Sequence, residues 1–233
     1  MLTRSKDRKV ANSVTKSGNP NIANSFGLPA GKDYSCPEQT AFCGSICYAG
    51  KLEKIYKGVR NNLTANFDAL KDSDFDRQYA LLDSMITEFV AECDRKGADK
   101  EFRIHWDGDF FSNDYTRAWS AVIAKHSNVQ FWVYTRVLAS AMVLKLANHS
   151  NLGLYFSADV DNMHFANIAK AKGINIAFVG KTFAEGKELF PKATKCPENN
   201  KSIPLVSPKG SACKVCGLCI NGRKDVLFST SKK

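Results

Sequence analysis

Four apolar runs alternating with helix-length amphipathic stretches constrain the fold of this 233-residue chain more than any other feature. Glu101 to Trp106 reads as a strand, and Ser112 to Lys125 as its helix with Ser112 or Asn113 as cap. Val129 to Thr135 leads into Leu138 to Asn148, Leu152 to Ser157 leads into Asn162 to Lys172, and Ile174 to Val179 closes the series. Strands and helices at this spacing are successive βα units, which demand parallel strands joined by right-handed crossovers. No Gly-x-Gly-x-x-Gly follows any of the strands, which weighs against a dinucleotide-binding fold. Together with a short strand within Ile22 to Leu28, the pattern favours an α/β fold of the partial, open β/α barrel kind over a doubly wound sheet.

Upstream, Asp74 to Lys96 reads as the clearest helix, with Ser73 as N-cap and Gly97 as C-cap. Phe75, Tyr79, Leu82, Ile86, Phe89 and Cys93 recur at alternating four- and three-residue intervals, so Cys93 belongs to an apolar face and is read as packing. Leu52 to Leu70 reads as one or two helices with a polar break at Arg60-Asn61-Asn62. After Gly180 the prolines at 191, 197, 204 and 208 break any periodicity, so residues 181–212 are read as an extended wrapping segment. Val226 to Ser229 is expected as a short strand that closes the sheet, and Ser231-Lys232-Lys233 is expected to fray. The chain therefore divides into a barrel over residues 1–180 and a basic cysteine-rich extension, 181–233, packed on it.

Functional groups of parallel α/β proteins gather at the C-terminal ends of strands. Those ends read His105-Trp106-Asp107-Gly108-Asp109, Tyr134-Thr135-Arg136, Ser157-Ala158-Asp159-Val160-Asp161 and Gly180-Lys181-Thr182. Four convergent polar ends point to a shared pocket. Each group also has a plain structural use: Asp159 or Asp161 as a helix cap, Arg136 as partner of Asp107 or Asp109, and His105 as a satisfied core histidine.

Seven of the eight cysteines fall into two clusters, and no apolar run approaches the roughly 18–20 residues that span a bilayer. The N-terminus has charge but no apolar segment behind it, so the chain is read as cytoplasmic and unprocessed, where clustered thiols mean metal rather than disulfides. Cys213-x2-Cys216-x2-Cys219, with Cys196-Pro197 as a distant fourth thiolate, favours a four-iron cluster, with zinc as the alternative at this site. Cys36-x6-Cys43-x3-Cys47 has three thiols only. Three thiolates on a four-iron cluster leave one iron open to substrate or cofactor, as in catalytic metal sites. A competing arrangement mixes ligands from both groups into one site.

The net charge of +10 belongs to the two ends. Residues 1–32 carry six Lys/Arg against one Asp and residues 181–233 eleven Lys/Arg against four acids, while residues 33–180 carry 16 against 18. A positive rim around a metal site would attract an anionic partner such as a nucleotide or nucleic acid, with ordinary solubilising charge as the alternative.

Asn19-Pro20, Ser25-Phe26-Gly27-Leu28-Pro29-Ala30-Gly31, the thiol loop ending Cys47-Tyr48-Ala49, His105-Trp106-Asp107-Gly108-Asp109-Phe110-Phe111-Ser112, Phe131-Trp132-Val133-Tyr134-Thr135-Arg136 and the Cys-x2-Cys-x2-Cys group together resemble the phage gene product 88-like family. More distantly, a three-cysteine loop ahead of successive βα units is similar to the radical S-adenosylmethionine superfamily, although that superfamily's common loop is Cys-x3-Cys-x2-Cys. The resemblance implies two four-iron clusters. Cys36, Cys43 and Cys47 would hold one with an open iron, and Cys196, Cys213, Cys216 and Cys219 an auxiliary one. It further implies S-adenosylmethionine as cofactor, an external electron donor, a nucleotide or nucleic-acid substrate and a place in the host cytoplasm. Tyr48, His105, Asp107, Asp109, Arg136, Ser157 and Asp159 would then line the pocket. The alternative is a non-enzymatic, cluster- or zinc-stabilised nucleic-acid-binding protein of phage replication or host takeover, with Trp106, Phe110 and Trp132 as stacking groups or, more simply, core.

Overall fold

A computed structural model describes residues 1–231; Lys232 and Lys233 lie outside the described residues. The strands are β1 (Glu101–Ile104), β2 (Gln130–Thr135), β3 (Leu152–Ala158), β4 (Asn175–Gly180), β5 (Thr194–Lys195), β6 (Val206–Ser207), β7 (Gly210–Ser211) and β8 (Val226–Ser229). The helices are α1 (Ala41–Ile46), α2 (Tyr48–Ile55), α3 (Lys57–Leu70), α4 (Phe75–Lys96), α5 (Asn113–Lys125), α6 (Leu138–Ala147), α7 (Met163–Ala171), α8 (Phe183–Leu189) and α9 (Ala212–Cys216). Six strands form one sheet in the order β1-β2-β3-β4-β8-β5, and every pairing in it is parallel. β6 and β7 make a separate antiparallel ribbon.

Neighbours in sequence are neighbours in the sheet from β1 to β4, so right-handed crossovers carry their helices to the same face. That face presents Phe102, Ile104, Phe131, Val133, Phe156, Ile176, Phe178 and Leu227 to buried residues of α4 to α7. On α4, Leu82, Ile86, Phe89 and Cys93 are fully buried, so the helical period placed Cys93 in the core. Asp74, not Ser73, is the N-cap, accepting from the Arg77 amide at 2.9 Å, and Gly97 ends the helix at φ +61°.

The opposite face carries Arg103, Trp132, Tyr134, Gly153, Tyr155, Ala177, Val226 and Phe228, the alternate positions of the same strands. No crossover helix is available to it. Chain from both ends covers it instead: Val10 and Ile220 pack on Trp132, while Cys196, Leu218 and Cys219 pack around Tyr155. Gly153 makes this possible. A Cβ there would meet the Cys219 carbonyl oxygen at 2.3 Å and that of Ile220 at 2.9 Å, so only glycine lets this backbone lie flat on β3.

Several boundaries differ from the sequence expectation for physical reasons. Residues 181–233, expected as an extension packed on the barrel, supply the expected strand at Val226–Ser229, β8, and also β5 to the sheet itself. The wrapping segment contains α8, started by the Thr182 hydroxyl accepting from the Glu185 amide. The break after the thiol loop falls at Tyr56, because Arg60, Asn61 and Asn62 lie on the exposed side of α3 opposite Leu63 and Asn66. Residues 24–28 run beside β1 with only a bridge from Ser25 to Arg103, since the Phe26 and Leu28 amides bond the Arg103 and Asp107 carbonyls and leave no continuous ladder. Ser231 does not fray; its amide donates to the Lys181 carbonyl. No helix among the described residues is long and apolar enough to cross a membrane.

Replacing Gly153 with valine should overpack this contact, costing about 1–3 kcal/mol and lowering the midpoint of thermal unfolding by about 2–10 °C. Limited proteolysis should then cut first within residues 205–225. An unchanged midpoint and cleavage pattern would show that the segment does not depend on this contact.

Candidate functional site

The first thiol loop sits on the C-terminal ends of β1, β2 and β3, and a chain of short polar contacts holds it there. Thr40 caps α1 by accepting from the Cys43 amide at 3.0 Å and donates its hydroxyl to Asp159 Oδ2 at 2.6 Å. Arg136, at the end of β2, bonds the same carboxylate oxygen at 2.6 Å. The Phe42 amide donates to Asp161 Oδ2 at 2.8 Å. Asp159 is fully buried and also caps the short 3-10 turn Val160–Asn162, so it does the expected capping and holds the loop as well. Arg136 pairs with Asp159, not with Asp107 or Asp109.

Asp109 serves the backbone. It accepts from the Thr135 hydroxyl at 2.6 Å, the Arg136 amide at 2.7 Å and the Phe110 amide at 2.8 Å, locking the end of β1 to the end of β2. Burial nevertheless raises its carboxyl to about 6, the hydrogen bonds offsetting part of the cost. Asp107 is pushed up further, by burial and by the neighbouring Glu53 carboxyl, and its Oδ2 is buried without a hydrogen-bond partner. The thiols close around these groups: Cys36 faces Asp109 and Asp107, Cys47 faces Asp107 and Glu53, and Cys43 faces Arg136, Cys47 and Asp159.

The second thiol group lies on the helix-free face of the sheet. Cys213 faces Lys9, Arg103, Cys219 and Cys196, while Cys219 faces Cys196 and Cys216 and accepts a bond from the Tyr134 hydroxyl. Backbone contacts fix the group: the Cys213 amide donates to the Lys9 carbonyl at 3.0 Å, the Cys196 amide to the Leu227 carbonyl at 2.9 Å, and Tyr155 Oη to the Leu218 carbonyl at 3.2 Å. Gly217, at φ +64°, ends α9 and turns the chain so that Cys219 returns toward the sheet. Arg103 spans the space between the two centres. Its guanidinium lies 3.7 Å from Asp7 and 5.5 Å from the Tyr134 ring centroid, and its charge bears on the hydroxyl of Tyr48, the residue after Cys47.

Of the residues expected to line one pocket, Asp107, Asp109, Arg136 and Asp159 come together with Cys36, Cys43 and Cys47. His105 does not join them. At φ +57° its ring turns into an aromatic cluster with Phe26, Phe110, Tyr115 and Trp119, where Nε2 meets the Tyr115 hydroxyl at 2.8 Å. Burial and the Arg103 charge lower its pKa to about 3, so it is the neutral core histidine of the alternative reading. Ser157 takes part through its carbonyl, which accepts from Asn162 Nδ2. Tyr48 directs its hydroxyl to the Trp106 carbonyl at 3.1 Å and leaves its ring half-exposed. Trp132 and Phe110 are buried core, as the simpler reading had it. Thr40 and Glu53 went unnoticed in the sequence; a Thr three residues before Cys43 is a visible N-cap signal, whereas Glu53 is buried only because residues 29–31 fold over it, its Oε1 accepting from the Ala30 amide.

Among the described residues no group of three or more His, Cys, Asp or Glu side chains is arranged to hold a metal ion as it stands. Burial, with nearby carboxylates or thiols adding to it, pushes the Cys36 and Cys213 thiols up to about 12 and Cys219 to about 11. As donor sets, three and four soft thiols suit iron–sulfur clusters, and the four-thiol set suits zinc as well. Arg136 beside Cys43, and Lys9 with Arg103 beside Cys213, supply the positive charge that thiolates need.

Fold and site together define a singly wound parallel α/β protein with one thiol loop on its strand ends and a second thiol group on its helix-free face. A family model described as Gene product 88 matches residues 1–222, and the chain belongs to that family. It is 56% identical over 236 aligned residues to the Gene 88 protein of Mycobacterium phage L5, covering 100% of this chain and 99% of that one. To the Gene 88 protein of Mycobacterium phage D29 it is 57% identical over 237 aligned residues, with the same coverage. No solved structure matches the chain, and the more distant likeness to the radical S-adenosylmethionine superfamily finds no support in these comparisons.

Removing the Arg136 side chain would leave Asp159 charged and buried without its partner. Arg136→Ala should cost about 3–5 kcal/mol in denaturant unfolding and speed amide exchange at Phe42 and Cys43. Arg117→Ala, which breaks an exposed pair with Asp114, should cost less than about 1 kcal/mol. Equal costs for the two would contradict the role given to Asp159.

Proposed function

We propose that this protein is an iron–sulfur enzyme of the radical S-adenosylmethionine type acting on a nucleotide or nucleic acid, built on a partial β/α barrel. One observation carries the reading: three thiols with no fourth are lashed by Thr40, Asp159 and Arg136 onto the strand ends of a singly wound parallel sheet. Cys36, Cys43 and Cys47 would hold the first cluster, and Cys196, Cys213, Cys216 and Cys219 the second. When bound, a cluster with one iron free of protein ligands supplies one-electron reduction of S-adenosylmethionine. The chain's own residues orient and exclude. Asp109 and Asp159 fix the loop, Arg136 balances thiolate charge, and the Asp107 carboxyl, whose Oδ2 has no hydrogen-bond partner among the described residues, offers a buried polar contact to a cofactor. The four-thiol set, with no vacant ligand position, would serve electron delivery from an external donor or, with zinc, structure alone.

The test is a preparation purified without oxygen. About eight irons and eight sulfides per chain are expected, since each four-iron cluster contributes four. Added reductant and S-adenosylmethionine should yield 5′-deoxyadenosine, and Cys43→Ala should keep the second cluster's iron while losing that product. Zinc in place of iron, or two full clusters without cleavage, would overturn the enzyme reading and favour the non-enzymatic nucleic-acid-binding one.

A further inference from the structure

The exposed side of α2 and the first turn of α3 carry cations without ion pairs among the described residues and large side chains left half-exposed. On α2, Ala49 and Glu53 face inward. Tyr48, Lys51 and Ile55 follow at i, i+3 and i+7, and Lys54 flanks them, so all four share the outward arc. The helix breaks at Tyr56, and Lys57 and Arg60 continue the exposed surface on α3. Tyr48, Ile55 and Tyr56 are 55%, 67% and 56% exposed, an unusual grouping for large side chains. Lys51, Lys54, Lys57 and Arg60 form no ion pair among the described residues, and the one acid among them, Glu53, is buried with its carboxyl turned to Ala30. The outward face is thus four positive charges with no negative one.

This face borders a cavity of about 370 Å³ lined by Gly31, Tyr34, Cys47, Lys51, Lys54 and Arg60 among others, with Glu53 at its inner wall accepting from the Ala30 amide. Gly31, Gly44 and Gly50 leave its walls bare, and Tyr34, 43% exposed, offers a ring at its side. We infer that the α2–α3 elbow is a binding surface for single-stranded nucleic acid, and that one nucleotide of the strand enters the cavity beside Cys47. Lys51, Lys54, Lys57 and Arg60 contact phosphates, while Tyr56 and Tyr34 stack on bases, the combination that holds single strands with little sequence preference. A duplex is excluded from the cavity because a paired base cannot turn into it without leaving its stack. The inference deepens the function proposed above and rests on it for chemistry at Cys47; binding itself needs only this surface.

Fluorescence anisotropy with labelled 16-nucleotide single strands of DNA and RNA, over a range of salt, tests it on the full chain. The unmodified protein should bind single strands at least about ten-fold more tightly than a duplex of equal length. The triple variant Lys51→Ala/Lys54→Ala/Arg60→Ala should weaken binding more than ten-fold and flatten the salt slope by about 2, from roughly 0.7 per phosphate contact. Tyr56→Ala should weaken binding about ten-fold without changing the slope. A control with the same loss of charge, Lys192→Ala/Lys209→Ala/Lys224→Ala, should bind as the unmodified protein does. Equal effects of the two triple variants, or tighter binding to duplex, would overturn the inference. Iron counted on the same samples separates the two proposals: iron without strand binding removes this surface and leaves the enzyme reading, and strand binding without iron does the reverse.

Discussion

A parallel sheet wound in one direction carries all of its crossover helices on one side, and its other side must be covered by something else. Here that cover is made from the two ends of the chain, joined where the Cys213 amide bonds the Lys9 carbonyl and the Ser211 hydroxyl bonds the Ala11 carbonyl at 2.7 Å. The arrangement depends on close approach. Gly153 and Gly222 face each other across the contact, with an added Cβ on Gly222 meeting the Gly153 Cα at 3.1 Å. Cys196, Cys213 and Cys219 are thereby set against Trp132, Tyr134, Tyr155 and Phe228, an apolar floor where an unpaired charge is costly and where Lys9 and Arg103 lower the cost of a Cys213 thiolate.

The two thiol groups are held by different physics. The second is pinned by hydrogen bonds at the backbone of its own segment, from the Cys196 amide to β8, from the Cys213 amide to Lys9 and from the Tyr155 hydroxyl to Leu218. The first is pinned through side chains, by a buried ion pair and two helix caps at the strand ends, and its outer side opens on a cavity walled by glycine. Rigidity suits a group with a full ligand set, and an open side suits one that lacks a ligand. Arg103, partly buried between Tyr48 and Tyr134, bears on Cys213 and Cys219 of the second group and on Asp107 beside the first.

Much of this was legible in the sequence, and the misses have identifiable causes. The βα repeat fixed strand and helix identity because apolar runs of four to seven residues alternate with amphipathic helices. The strand-end rule found Asp107, Asp109, Arg136 and Asp159, since it depends on topology alone. It failed for His105, because a left-handed residue at the end of β1 swings the ring out of register into the aromatic core, and no local signal marks that turn. The Arg136 pairing was misassigned because both oxygens of Asp109 are taken by the Phe110 and Arg136 amides and the Thr135 hydroxyl, which leaves the Arg136 side chain to Asp159 just after β3. Glu53, Arg103 and Gly153 matter through contacts more than twenty residues away, which spacing within one element cannot reveal. The basic face of α2 was hidden by a charge count over residues 33–180, where acids elsewhere cancel it.

We propose that two separate metal centres sit on one sheet, one at its strand ends and one on its bare face. Anomalous scattering at the iron edge, from crystals grown without oxygen, tests it most directly. Two iron peaks are expected, one bounded by Cys36, Cys43 and Cys47 beneath Arg136, the other by Cys196, Cys213, Cys216 and Cys219 above Tyr155. A single peak ligated from both thiol groups, or seven thiols with no metal between them, would contradict the account.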